Sequence, residues 1–361
     1  MTYPAKVEGI AITDKKDWLH PKKASYDLKT AGDRDVDIKV IACGVCGSDV
    51  HCAAGRHLPL FEDCVVGHEI IGEVVKVGPK CTAGVKVGDR VGVGAQSLSC
   101  LECESCIAGN EQYCKKNTVY TIASIYPDGS KAQGGFGSHV RTHEYFVHPI
   151  PKELDTVNAA PLLCGGITAF SPLLRGQVGP GKTVGIVGIG GIGHIAILFA
   201  KAMGAKVIAI SRSASKKEDC LKLGADEYIA SAEGDDWKQK FAGSIDFMLL
   251  CNSSFSKSNF DSLFSLIKLG GEVCSIGIPD MSYRLSISPL SLLGIKFGFS
   301  ALGSRNEFQK MFELVKKNNI KLWVETLPIG EKGLHEAFER VENGDVKYRC
   351  TMVDYDKEFG N

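Results

Sequence analysis

Along roughly the first 150 residues the apolar positions come in short alternating runs broken by glycine: 37–42, 70–77, 90–94, 137–141 and 146–150. Alternation of period two predicts strands with one buried face, and so many short ones predict a partly closed, mostly antiparallel β-domain. From about Asn158 the period changes. Residues 184–188 read as a buried strand, 193–203 as a helix, 206–211 as a strand and 216–223 as a helix. Two more apolar strands follow at 246–251 and 272–276, with a helix over 260–269 between them. Repeated strand–helix units predict an α/β region, a parallel sheet wound on both faces. After about Ala301 the pattern is ambiguous, and predicts only a helix over 307–317 and a short strand near 321–325.

The chain has 361 residues, enough for two domains and hence a cleft. Its 42 basic and 42 acidic residues cancel, which leaves no electrostatic footprint for nucleic acid or an anionic membrane and favours a small-molecule substrate. Residues 1–14 lack the apolar core of a signal peptide, and the longest apolar stretch, 184–200, is short and rich in glycine. A cytoplasmic protein without a membrane segment is the expectation. In that setting its 14 cysteines read as thiols and metal ligands rather than disulfides.

Four of those cysteines are closely spaced. Cys100, Cys103, Cys106 and Cys114 can close a tetrahedron around one structural zinc ion. A second signal lies where the period changes. Gly188, Gly190, Gly191, Ile192 and Gly193 form a G-x-G-G-x-G turn between the 184–188 strand and a helix, the fingerprint of a dinucleotide pyrophosphate site. At the end of the next strand an enzyme for NAD usually presents a carboxylate to the adenosine ribose. This chain has Ser211 and Arg212, with Lys216 close behind, and these favour the 2′-phosphate of NADP(H). A solvated helix start is the other reading of Arg212 and Lys216. Cys46, His68 and Glu69, together with Cys164, offer thiol, imidazole and carboxylate donors of the kind that hold a catalytic zinc with one open position. Spacing alone does not bring Cys164 to the others.

The order of these motifs, with Gly67-His68-Glu69-x-x-Gly72-x5-Gly78 and Gly88-Asp89-Arg90-Val91, resembles the zinc-dependent medium-chain alcohol dehydrogenases. Within them the chain is similar to the cinnamyl-type, NADP-dependent branch. The resemblance implies a GroES-like catalytic domain, 1–156 with 299–361, and a Rossmann domain, 157–298. It implies two zinc ions per subunit and interconversion of primary aliphatic and aromatic alcohols with aldehydes. Cys46, His68 and Cys164 become catalytic-zinc ligands, with Glu69 able to bind the metal in the absence of substrate and Asp49 accepting from His68. Cys43 stays a core thiol. Ser48 and His51 become the proton route, Thr168 a neighbour of the nicotinamide, and Arg349 a contact to cofactor phosphate, or else a solvated arginine beside Asp345. His139, His143 and His148 read as structural. The loop 53–60 lines the pocket by family position. A homodimer is expected, joined through β-rich segments at 285–290 and 295–302. An NAD-dependent polyol or secondary-alcohol dehydrogenase, a zinc-free quinone reductase and a zinc-containing, non-catalytic binding protein are the alternatives.

Overall fold

The computed structural model describes residues 7–56, 60–252, 260–277 and 287–360, which form two compact units. The first comprises Met1–Gly165, Ser304–Phe312 and Lys321–Asn361, the second Gly166–Gly303 and Glu313–Ile320. The division after Gly165 falls later than the 156/157 boundary expected from sequence. The reason is the turn Ala160–Leu163, which packs against the strands Asp35–Val45, Glu69–Val77 and Arg349–Val353 of the first unit.

In the first unit a sheet runs in the order Val147–Pro149, Arg90–Val93, Glu69–Val77, Asp35–Val45, Arg349–Val353, Val324–Pro328, and His139–His143 also pairs with Asp35–Val45. All its pairings are antiparallel except that of the last two strands. Val7–Ile12 pairs with Lys22–Tyr26 and Cys64–Val65 in a smaller sheet. Alternate positions such as Ile38, Val40, Ile70 and Val74 bury one face together with Phe136 and Phe338, so the period-two pattern is cashed as a core. Each of the five strands predicted here is present, displaced at its ends by one or two residues in most cases.

The second unit is a six-stranded, fully parallel sheet. Its order is Glu227–Ala230, Lys206–Ser211, Thr183–Val187, Ile245–Leu250, Ile267–Ser275, Lys296–Phe299. Numbered along the chain this is 3-2-1-4-5-6, the order of a dinucleotide-binding fold. The runs of Val, Ile and Leu in its central strands are buried, as a sheet covered on both faces requires.

Two sequence expectations change. The helix over 260–269 stops at Phe264, because Ile267 already pairs with Ile245 as strand. The described part of the β-rich 285–290 segment is helical, Ile287–Leu292, with Pro289 in a first turn where its missing N–H breaks no helical bond. Leu285 and Ser286 lie outside the described residues, as do His57, Leu58 and Pro59 of the 53–60 loop. Among the described residues no single helix is long and apolar enough to cross a membrane.

Candidate metal and cofactor sites

The strand Asp35–Val45 turns directly into the helix Gly47–Ala53, with Cys46 as its N-cap. Asp49, fully buried, ties this turn to the next motif. Its Oδ2 accepts from the Cys46 N–H at 3.0 Å, and its Oδ1 accepts from the Gly67 N–H at 2.8 Å and from His68 Nδ1 at 2.7 Å. A carboxylate only accepts, so the proton of His68 is held on Nδ1 and its Nε2 is aimed at Cys164 Sγ, 3.1 Å away. Cys164 follows the turn Ala160–Leu163 and belongs to the same unit. Cys46, His68 and Cys164 are buried, with their donor atoms all within 4.8 Å of one another.

The hydrogen bond from Cys164, helped by His68, holds the Cys46 thiol well below its ordinary range despite burial. Burial works against a charge on His68, but Asp49 outweighs it and pushes the imidazole up. With its proton held on Nδ1, His68 offers Nε2 to a divalent metal, which would bind the two cysteines as thiolates in exchange for protons. Two thiols and one imidazole, buried and second-shell bonded, fit zinc with one position open.

Glu69 opens the strand Glu69–Val77 opposite Gly44. Its two oxygens accept from Arg349 Nη2 at 2.5 and 2.6 Å, and Oε1 also accepts from the Gly165 N–H at 3.2 Å. Burial outweighs the arginine and pushes Glu69 up to about 7. Arg349 is 5% exposed, so the solvated reading of that residue is overturned. Two groups expected to serve metal and cofactor separately are thus held to each other.

In the cysteine lobe the sulfur pairs 100–106, 103–106, 103–114 and 100–114 are 3.8, 3.5, 3.9 and 3.5 Å apart. These separations are far too long for disulfides. A tetrahedron with zinc–sulfur bonds of about 2.3 Å has edges of about 3.8 Å, so the lobe is spaced for a closed site.

In the second unit the glycine turn links the strand Thr183–Val187 to the helix Gly193–Ala202. Its glycines have distinct duties. Gly188 has φ +87°, and a Cβ there would meet Asn252; a Cβ at Gly193 would lie 2.1 Å from the Gly188 carbonyl. At Gly190 nothing lies within 4 Å of the added atom. That open side is where a pyrophosphate can approach the backbone, which is the fit expected for a dinucleotide.

A model of the alcohol dehydrogenase GroES-like domain matches residues 32–152, and one of the zinc-binding dehydrogenases matches 191–317. The chain is 53% identical, over the full length of both, to the NADP-dependent alcohol dehydrogenase 6 of Saccharomyces cerevisiae. This chain belongs to the zinc-binding alcohol dehydrogenase family. Among solved structures it is similar to a cinnamyl alcohol dehydrogenase of Sorghum bicolor, with a TM-score of 0.90 at 32% identity, covering 96% of this chain and 97% of that one. It is also similar to the Helicobacter pylori cinnamyl alcohol dehydrogenase complexed with NADP(H), with a TM-score of 0.87 at 29% identity, covering 96% and 98%.

Against this family background the remaining residues can be placed. Ser48 is exposed and His51 half-buried, one turn apart on the Gly47–Ala53 helix, and His51 Nδ1 accepts from Arg56 Nη1 at 3.4 Å. Arg56 is itself fixed by a two-pronged bond to Glu342. Ser211 ends its strand, Arg212 is exposed, and Lys216 donates to the Ile189 carbonyl of the glycine turn at 2.7 Å. Gly191 and Ile192 lie within the same turn, and Thr168 lies in the helix Gly165–Arg175. Cys43 is fully buried opposite Ile70 and is not among the residues of the metal-type cluster. His139, His143 and His148 lie on or beside strands, and burial lowers the pKa of each.

Sequence reasoning missed Gly44. A Cβ there would lie 2.0 Å from Glu69 Oε2, so only glycine leaves room for the buried carboxylate. A glycine inside an otherwise apolar strand, Ala42-Cys43-Gly44-Val45, was the available signal.

Proposed function

We propose that the chain is an NADP-dependent, zinc-dependent alcohol dehydrogenase that interconverts primary aliphatic and aromatic alcohols with aldehydes. The observation that carries this reading is the buried convergence of Cys46, His68 and Cys164, far apart in sequence, in a chain that also carries the dinucleotide turn. The 53% identity to an NADP-dependent alcohol dehydrogenase supports the class, and the cinnamyl-type relatives support the substrate range.

In this reading Cys46, His68 and Cys164 hold a catalytic zinc, and Cys100, Cys103, Cys106 and Cys114 hold a structural one. Bound zinc supplies Lewis-acid polarisation of a substrate oxygen, and bound NADP(H) supplies or takes up hydride. Asp49 keeps His68 turned toward the metal position. Arg349 and Gly165 keep the Glu69 carboxylate engaged, which makes it a reserve ligand rather than a standing one. Ser48 and His51 move the proton between the buried reaction centre and water, with the imidazole at the outer end. Gly188, Gly190, Gly191, Ile192 and Gly193 present backbone to the pyrophosphate. Ser211, Arg212 and Lys216 select the 2′-phosphate and Thr168 serves the nicotinamide end, while Arg349, held by Glu69, is committed to that carboxylate rather than to a phosphate.

The domain assignment follows: the first unit is catalytic and the second binds the dinucleotide. The reading extends to a cytoplasmic homodimer. All the cysteines are free thiols, as a reducing compartment maintains. Among the described residues Lys296–Phe299 is an edge strand of the parallel sheet, and Leu292 and Phe299 are 78% and 64% exposed, a surface suited to pairing about a twofold axis.

The test is a steady-state screen of aldehydes and alcohols with NADPH and NADH, on protein of measured zinc content. Turnover of cinnamaldehyde with NADPH preferred, two zinc ions per chain and loss of that preference in Arg212→Ala are expected. Oxidation of sorbitol with NAD and no turnover of cinnamaldehyde would move the chain to the polyol branch. Light scattering that gives a monomer at micromolar concentration removes the dimer.

A further inference from the structure

The segment from Ser211 to Lys216 carries the groups assigned to the 2′-phosphate, yet it is largely exposed and has a single half-turn of helix, Ala214–Lys216. Exposed side chains select a ligand only when the backbone beneath them is held. Most of that hold comes from the turn that follows the neighbouring strand Glu227–Ala230. The N–H groups of Ser231 and Ala232 donate to the carbonyls of Ser211 and Arg212 at 2.7 and 2.9 Å, and Glu233 Oε1 accepts from the Ala214 N–H at 2.8 Å. On the far side Lys216 ties the segment to the glycine turn through Ile189.

Tyr228 stands at the centre of this arrangement. It lies on Glu227–Ala230, in register with Ala209, and its hydroxyl donates to the Ser213 carbonyl at 2.5 Å. Burial raises the phenol pKa, so the hydroxyl keeps the proton that it donates. This hydroxyl therefore grips the segment at its middle, between Ser211 and Lys216.

We propose that Tyr228 is a positioning residue for cofactor choice, whose hydroxyl, through the Ser213 carbonyl, holds the segment between Ser211 and Lys216 in the conformation that receives a ribose 2′-phosphate. The assignment rests on the NADP reading above. Tyr228 touches no reacting atom, so its effect is confined to recognition of the 2′-phosphate. The pyrophosphate is met by the glycine turn instead.

Tyr228→Phe removes one oxygen and keeps the ring, and calorimetry with adenosine 2′,5′-bisphosphate and with adenosine 5′-monophosphate then reads recognition without turnover. The expected result is a fall of about two- to tenfold in affinity for the bisphosphate, the range of one hydrogen bond, with the monophosphate unchanged. In steady state the KM for NADPH rises by the same factor, while kcat and the KM for NADH stay put. Equal losses for both nucleotides would make Tyr228 merely structural, and no loss for either would make it irrelevant; both overturn the assignment. A wild-type protein that binds the two nucleotides equally well sinks the NADP reading itself and Tyr228's role with it. Discrimination by the wild type that survives intact in Tyr228→Phe sinks only the role of Tyr228.

Discussion

A methyl group on residue 44 has nowhere to go. Gly44→Ala would place Cβ 2.0 Å from Glu69 Oε2 and drive the carboxylate off Arg349, leaving a guanidinium buried without its partner. Breaking a buried pair in that way costs about 3–5 kcal/mol, so Gly44→Ala should be strongly destabilised in denaturant titrations. Gly47→Ala, three residues along, meets nothing within 4 Å and should stay within about 0.5 kcal/mol of the parent. Equal effects of the two would show that Glu69 can be accommodated elsewhere. Asp49 carries a different burden, since three donors converge on it and one is His68. Asp49→Ala frees the imidazole to rotate and leaves the Cys46 turn uncapped. A loss of about 10–100-fold in zinc affinity is expected at the three-residue site only, where second-shell partners act. Competition with a chromogenic chelator should then resolve one weakened and one unchanged zinc, and uniform weakening of both would contradict the separation of the two sites. Cys100, Cys103, Cys106 and Cys114 were legible at this scale because their ligand spacing is local. The pairing of Glu69 with Arg349, 280 residues apart, was not, since it depends on the register of three strands.

The glycine turn joins a strand to a helix, and its positions should fail in different ways. Gly193→Ala puts Cβ 2.1 Å from the Gly188 carbonyl, where neither strand nor helix can retreat, so the second unit should lose stability with or without cofactor. Gly190→Ala meets no protein atom within 4 Å, so the free protein should melt within a degree or two of the parent while the KM for NADPH rises by about tenfold or more. Differential scanning calorimetry on cofactor-free protein, set beside steady-state kinetics, separates the two. A destabilised Gly190→Ala would mean that the space beside it is needed by the fold and not by the nucleotide. Elements of this kind were readable from sequence because strand, turn and helix follow one another without interruption; Lys206–Ser211 was placed to the residue. Where the chain has no such punctuation the reading slipped. Ile267 to Leu269 continue the apolar run of a helix, yet Ile267 pairs with Ile245, and the described part of the β-rich 285–290 segment is helical, Ile287–Leu292. At Ile267 long-range pairing decided between two local preferences of similar strength.

At the scale of the whole molecule, acid should act through histidines before it acts through carboxylates. His139, His143 and His148 are each lowered by burial first and by Lys39, Arg34 and Arg305 respectively, and His148 is pulled down to about 3. A folded-state value below that of the unfolded chain means that the unfolded chain binds protons first as pH falls. Stability is therefore flat above about 6.5, the ordinary histidine value, and declines below it until the folded pKa is reached. His148 alone accounts for about 2 kcal/mol between pH 6.5 and 5, at about 1.4 kcal/mol per unit. Glu144, Asp226 and Asp246, whose folded values are lowered, have the opposite protonation chemistry but the same direction of effect: their contribution is present above the ordinary carboxylate range and is lost only as pH falls through about 4 and below. In the window from pH 6.5 to 5 these three acids are silent, and Glu69, pushed up to about 7 by burial, gains stability as pH falls but does so equally in the two proteins compared next. His148→Phe preserves the ring contact with Phe308, whose centroid is 4.1 Å away, and removes the titrating group. Its unfolding free energy, measured by denaturant titration at half-unit steps, should fall less steeply than that of the parent across this window, by about 2 kcal/mol at pH 5. Because both proteins keep the same metal-type clusters, protonation of those ligands cancels in the difference. Parallel curves would show that His148 can take up a proton inside the fold, and that the burial seen around it relaxes at little cost.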